Sequence, residues 1–238
     1  MIIGGLQHLS LIDYPGVPCA VLFTRGCNFR CHYCHNPELV VPEQFGQEVP
    51  LAEVYGFLKL RQGKLQAVCV TGGEPTLHLD LPDMLRKIKS LDYLVKLDTN
   101  GSQPEFLERM FDDELLDYVA MDIKAPLADY EKITGVHLPQ ERLARSIEAI
   151  ITSGIEYEFR TTIVTSLTTK DDIRHIARTI RGARRYYLQA FVPTKMLDSR
   201  LRNEHRYSSE ELTQLAKELE TDVQLCGVRN MSEMSEVD

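Results

Sequence analysis

Cys19-Ala-Val-Leu-Phe-Thr-Arg-Gly-Cys-Asn-Phe-Arg-Cys-His-Tyr-Cys-His-Asn36 is the stretch from which the rest of the chain is read. Its first six residues form an apolar run of strand length. The loop that follows carries Cys27, Cys31 and Cys34 in the spacing C-x3-C-x2-C. Three thiolates on one short loop are too few for a closed tetrahedral zinc site and one too few for an ordinary four-cysteine iron–sulfur cluster. A [4Fe–4S] cluster held by three thiolates keeps one iron open, on the logic by which a catalytic zinc keeps a vacant position. A disulfide is a poor alternative, because three crowded cysteines always leave one over. A zinc site completed by His32 or His35 stays open as an alternative. So does a set of plain core cysteines, although Gly, Asn, Arg, His and Tyr neighbours are unlike a core.

Working outward, apolar runs of strand length alternate with amphipathic stretches. After Cys19–Thr24 the expected strands are 66–71, 93–98, 117–122, 155–164 and 185–191. The expected helices are about 51–63, 80–91, 104–116, 140–153, 170–183 and 208–220. Leu81, Leu85, Ile88 and Leu91 recur at helical spacing, as do Ile147, Ile150 and Ile151. Asp80-Leu-Pro82 and Gln103-Pro104 read as helix starts. Alternation of this kind implies a parallel sheet with helices outside, joined by right-handed crossovers. Six βα units are too few for a closed eight-stranded barrel, so the expectation is an open partial (βα)6 barrel, α/β in class and a single domain over 1–238. Residues 1–18 are read as an N-terminal extension, 19–207 as the core, and 208–238 as a C-terminal helix and tail. The tail Met231–Asp238 is polar and acidic and is expected to be mobile.

Composition narrows the function classes. Lys plus Arg number 27 against 35 Asp plus Glu, a net charge of −8 at pH 7, which argues against a nonspecific nucleic-acid binder. No apolar run approaches membrane-spanning length, and the start lacks a charged segment followed by an apolar core, so the reading expects no membrane and a cytoplasmic location. Cys19, Cys69 and Cys226 are isolated in sequence, and the first two fall in expected strands as small buried hydrophobes.

In parallel α/β sheets ligands bind at the carboxyl ends of the strands, and the informative residues collect there. The second strand ends in Thr71-Gly-Gly-Glu-Pro75, where Gly72 and Gly73 admit a close backbone approach and Glu74 accepts from an ammonium group. A tight turn is the plainer reading of the two glycines. The third strand ends in Asp98-Thr-Asn-Gly101 and the fourth in Asp122-Ile-Lys124; a lone Asp or Asn in such a place caps or turns the chain, but two acidic ends in succession weaken that reading. Arg160 lies within the fifth strand and needs an anionic partner, either a structural Asp or Glu or a bound carboxylate. The sixth carries Gln189. Arg174, Arg178, Arg181, Arg184 and Arg185 make a basic run in an acidic protein, by default a solvated face.

The cysteine loop, ending in Tyr33-Cys34-His35-Asn36, resembles that of radical S-adenosylmethionine (SAM) enzymes, most closely the branch that activates glycyl-radical enzymes. Gly72-Gly73-Glu74, Asp98–Gly101, Asp122–Lys124 and Arg160 follow in family order. The resemblance implies a [4Fe–4S] cluster on Cys27, Cys31 and Cys34, and SAM held by Tyr33, Cys34, His35, Gly72, Gly73, Glu74, Asp98, Thr99, Asn100, Asp122, Lys124 and Arg160. It also implies a monovalent cation on Asp98, Thr99 and Asp122. Some relatives place a histidine near Gln189, and here glutamine stands in its stead. The opening Gly4-Gly-Leu-Gln-His-Leu-Ser-Leu-Ile-Asp-Tyr-Pro-Gly16 is most similar to activating proteins of anaerobic ribonucleoside-triphosphate reductase. That implies reductive cleavage of SAM to a 5′-deoxyadenosyl radical, which takes hydrogen from a glycine of the partner reductase. It further implies an acidic electron donor such as a flavodoxin or ferredoxin, for which the arginine run is a candidate dock. Two rivals stand beside it: a small-molecule enzyme resembling 7-carboxy-7-deazaguanine synthase, and a non-enzymatic metal-binding regulatory module.

Overall fold

A computed structural model describes residues 1–230; the acidic tail discussed above lies outside the described residues. Among the described residues eight strands form one sheet in chain order. They are β1 (Ile3–Ser10), β2 (Cys19–Thr24), β3 (Ala67–Gly72), β4 (Leu94–Thr99), β5 (Tyr118–Asp122), β6 (Glu156–Ile163), β7 (Tyr186–Ala190) and β8 (Cys226–Arg229). From β2 to β8 every pairing is parallel, while β1 runs antiparallel to β2. Strands β1 and β8 are the two ends of the sheet and do not pair with each other, so the barrel is partial and open.

The six expected strands are all present, and β1 and β8 are additional. Within the N-terminal extension, Ile3–Ser10 supply an edge strand. Gly4-Gly5 and Gln7-His8 interrupt the apolar pattern of β1, and β8 is a four-residue strand containing Gly227, so neither announces itself in sequence.

Among the described residues eight α-helices connect or flank the strands: α1 (Pro37–Val40), α2 (Leu51–Arg61), α3 (Leu81–Lys89), α4 (Pro104–Asp112), α5 (Tyr130–Thr134), α6 (Gln140–Thr152), α7 (Lys170–Thr179) and α8 (Ser209–Leu219). Capping boxes begin α7 (Thr169 with Asp172) and α8 (Ser208 with Glu211), satisfying backbone donors that a helix start leaves free. Pro82 lies in the first turn of α3, but Asp80 does not cap it; its carboxylate pairs with the N-terminal amine. No helix among the described residues is long and apolar enough to cross a membrane.

Strand alternation sorts the side chains onto two faces. Ala20, Leu22, Val68, Val70, Val95, Leu97, Val119 and Met121 face the helices and form the main core. Facing inward, Cys19, Val21, Ala67, Cys69 and Tyr118 pack around Tyr14, which the segment after β1 inserts into the barrel. Further along the inner face the apolar pattern gives way to Lys96, Asp98, Asp122, Glu158 and Arg160, a concentration of charge that a hydrophobic core does not need.

Candidate active site

The carboxyl ends of the parallel strands open into one cleft with a cavity volume of about 370 Å³. The residues that the resemblance assigned to cluster and SAM all line it. Cys27, Cys31, Tyr33, Cys34 and His35 come from the loop after β2, and Gly72, Gly73 and Glu74 from the end of β3. Asp98, Thr99 and Asn100 come from β4, Asp122 and Lys124 from β5, Arg160 from β6 and Gln189 from β7. Sequence reasoning missed Asp13 and Thr162, which also line it. Thr162 was legible as the next inward residue after Arg160; Asp13 was not, because its segment gave no sign of entering the barrel.

The cysteine loop is fixed by its backbone. Gly26 N–H donates to the Leu39 carbonyl at 2.7 Å, Arg30 N–H to that of Thr134 at 2.7 Å, and Asp198 N–H to that of His32 at 2.8 Å. The Asn100 amide reaches across to Asn28 Oδ1 at 2.9 Å and lies 3.9 Å from the Cys27 sulfur. All three thiols are free. Burial pushes the Cys27 thiol up to about 12 and that of Cys31 to about 11, and raises Cys34 as well. Thiols so placed keep their protons until a metal group displaces them. The histidines do not complete a zinc site: His32 is turned to the Lys132 carbonyl at 3.2 Å, and His35 Nδ1 to that of Lys195 at 3.2 Å. Among the described residues no three His, Cys, Asp or Glu side chains gather as the ligands of a single ion.

Opposite the thiols runs a ladder of alternating charge. Lys96 Nζ is 2.5 Å from Asp98 Oδ1, and Asp98 Oδ2 is 3.3 Å from Arg160 Nη1. Arg160 Nε is 2.8 Å from Asp122 Oδ1, and Asp122 Oδ2 is 3.0 Å from Lys124 Nζ. Arg160 thus reaches from β6 past β5 to β4, where Asp98 lies opposite the small Ala120 in register. Burial by itself would raise both carboxyls, but Arg160, with Lys96 at Asp98 and Lys124 at Asp122, holds them below the usual carboxylate range. The residues expected to hold a cation, Asp98, Thr99 and Asp122, are here engaged by other side chains. Lysine and arginine neutralise the two carboxylates, and the Thr99 hydroxyl donates to Glu74 at 2.7 Å.

Glu74 has protein partners that the sequence did not announce. It is 1% exposed and accepts from Thr76 N–H at 3.2 Å, Thr76 Oγ1 at 2.5 Å, Thr99 Oγ1 at 2.7 Å and Asn100 N–H at 2.7 Å. Those four donors leave one lone-pair direction, on Oε2, for a ligand. Glu74 therefore clamps the end of β3 to the end of β4. The glycines serve packing before ligand approach: Gly73 N–H donates to Thr24 O and Glu74 N–H to Gly26 O, both at 2.8 Å.

The basic run is largely spoken for. Arg174 pairs with Asp171 and Glu218, Arg181 with Asp222, and Arg184 and Arg185 with Glu156, which leaves Arg178 of the five without an ion-pair partner among the described residues.

The donor set fits a three-thiolate cluster with a SAM molecule beside it. Three free thiols line one wall, while the Tyr33 hydroxyl is buried without a partner. On the facing wall the ladder presents cations suited to an amino acid carboxylate. Residues 21–181 match the radical SAM superfamily. A chain of Methanocaldococcus jannaschii bearing the name of a glycyl-radical enzyme activating enzyme is 32% identical over 221 residues, 91% of this chain and 90% of that one. The 7-carboxy-7-deazaguanine synthase of Methanospirillum hungatei is 27% identical over 161 residues, 66% of this chain and 63% of its own. Among solved structures, Streptococcus suis SuiB bound to S-adenosylmethionine superposes with a TM-score of 0.65 at 13% identity, covering 87% of this chain and 51% of SuiB. That likeness is one of fold, and this chain spans about half of SuiB's length.

Proposed function

The chain belongs to the radical SAM superfamily, and from that premise we propose that it is an activating enzyme that installs a glycyl radical on a partner protein, anaerobic ribonucleoside-triphosphate reductase. The observation that carries the reading is the convergence of three free thiols and an arginine–lysine wall in one cleft. The near full-length likeness to a chain named for glycyl-radical activation supports the activating class. The Gly4–Gly16 opening supports the reductase as partner. The reading carries with it a cytoplasmic enzyme and a small acidic electron donor, a flavodoxin or ferredoxin.

When bound, a reduced [4Fe–4S] cluster and SAM together supply one-electron cleavage of the SAM carbon–sulfur bond and a radical that removes hydrogen from substrate. In this reading Cys27, Cys31 and Cys34 hold the cluster, and their backbone anchors keep the loop from shifting as it binds. Arg160 and Lys124 receive the SAM carboxylate, with Asp122 fixing both cations by its two oxygens. The Glu74 clamp sets the distance between the loop and the ladder, and its remaining acceptor direction faces an ammonium group. Tyr33 and Gln189 flank the nucleoside. Held so, the reacting groups meet without a translational search, which is where a radical enzyme gains rate.

The test is anaerobic: cluster-loaded, reduced protein with SAM and the reductase should give the doublet of a glycyl radical in electron paramagnetic resonance. SAM cleavage with no radical on the reductase, but with turnover of a nucleobase precursor, would instead favour the small-molecule reading that the 7-carboxy-7-deazaguanine synthase likeness keeps in play.

A further inference from the structure

Lys96 lies on the inner face of β4 and, at 2% exposure, does not reach the cleft wall. Its ammonium stands 2.5 Å from Asp98 Oδ1, 3.8 Å from the Cys69 sulfur and 5.8 Å from the centre of the Tyr118 ring. A lysine buried this deep is costly unless paired, and Asp98 is its anionic partner. The consequence appears one step away, at Arg160. Asp98 Oδ1 is engaged by Lys96, and Asp98 meets Arg160 through Oδ2, at a loose 3.3 Å. The firm partner of Arg160 is Asp122, through Nε at 2.8 Å. Its Nη2 has no hydrogen-bond partner among the described residues, although a guanidinium carries five N–H donors and pairs with a free carboxylate through two at once.

We propose that Lys96 is a positioning residue: by occupying Asp98 Oδ1 it prevents Asp98 from closing a two-pronged pair on Arg160, and so keeps Nη2 free for the carboxylate of S-adenosylmethionine. Lys96 thereby sets the preference of the site for a ligand bearing that carboxylate. The inference rests on the reading that Arg160 receives the carboxylate, and its test separates the two. Replacing Lys96 by methionine keeps most of the length of the side chain and removes the charge, so Asp98 turns both oxygens to Arg160. Replacing Asp98 by asparagine as well removes the competitor and releases Arg160 again.

The experiment measures equilibrium binding of SAM and of decarboxylated SAM to the anaerobic, cluster-loaded protein in its oxidised state, where no turnover occurs. Circular dichroism and Tm report the folding of each variant. Wild type should prefer SAM by about tenfold or more, the worth of one charge-assisted pair. K96M should lose most of that preference through weaker SAM binding, with decarboxylated SAM bound as before. K96M/D98N should regain the preference. Equal losses for both ligands in K96M, or a double variant that stays indifferent, would overturn the role of Lys96 alone. A wild type indifferent to the carboxylate would overturn the assignment of Arg160, and the role of Lys96 with it.

Discussion

A Cβ placed on Gly73 would lie 1.9 Å from the carbonyl oxygen of Gly26, so the end of β3 and the start of the cysteine loop touch backbone to backbone. No side-chain adjustment relieves such a contact, because the obstacle is main chain that also accepts the Glu74 N–H bond. Gly73→Ala should therefore push the cysteine loop away, costing about 3 kcal/mol, the upper end for overpacking. Iron and sulfide content after anaerobic reconstitution should fall together with Tm. Gly56→Ala is the control: it lies on the exposed side of α2 with nothing near its Cβ, and should stabilise by about 0.5–1 kcal/mol. A Gly73→Ala protein with full iron content would show that the two loops are not locked.

Much of this was legible because the chemistry sits where parallel sheets always put it. The strand ends at Gly72, Asp98 and Asp122, and Arg160 inside the next expected strand, could be placed by the alternation of strand and helix together with the family resemblance, and the structure brings them to one cleft. What the sequence withheld were pairings. Glu74 reads as a ligand group until Thr76, Thr99 and Asn100 are seen to surround it. The arginines of 174–185 read as a cationic surface until Glu156, Glu218 and Asp222 arrive from elsewhere in the chain. Lys96 hid inside an otherwise apolar strand, as an inward residue whose partner two positions on was assigned to other work. The bidentate pair of Arg229 with Glu158, at 2.6 and 2.8 Å, pins β8 across β7, and nothing in a four-residue strand foretold it.

Cluster assembly should depend on three thiols and ignore the other three. Cys27→Ala, Cys31→Ala and Cys34→Ala should each abolish SAM cleavage and strip or degrade the cluster, seen as lost absorbance and iron content. Cys19, Cys69 and Cys226 are buried in packing contacts. Their conversion to Ala should leave about four irons per chain, as one cubane cluster requires. Full iron and activity in Cys31→Ala would remove the basis of the cluster assignment.

The clamp role of Glu74 yields an expectation different from a direct ligand role. Glu74→Ala strands the Thr99 and Thr76 hydroxyls and the Asn100 N–H, each buried, at a combined cost of about 3 kcal/mol or more. Iron content, Tm and SAM affinity should all drop together. Glu74→Gln retains an acceptor of the same shape and should keep most of the iron. If Glu74→Ala kept full iron and Tm and lost only SAM binding, the carboxylate would be a ligand group and not a clamp.

Acid should unfold this protein partly through the ladder. Asp98 and Asp122 are held below their ordinary range in the fold, burial being outweighed by Arg160 and its neighbouring lysines. Their unfolded counterparts titrate near about 3.9, so on acidification through that value the unfolded chain takes up protons that the folded chain refuses, and stability falls. Glu74 works the opposite way, since burial raises its carboxyl above the ordinary value and the folded chain is there the first to bind a proton. A variant isolates the ladder. Asp122→Asn leaves Arg160 and Lys124 without their shared partner and should lower Tm at neutral pH, yet lose less further stability between about pH 5 and pH 3 than wild type, because its titrating group is gone. Thermal unfolding of the cluster-free protein across that range decides it. Parallel Tm curves for wild type and Asp122→Asn would mean that the carboxylate of Asp122 is not held ionised by the cations beside it, and the charge ladder would lose its central rung.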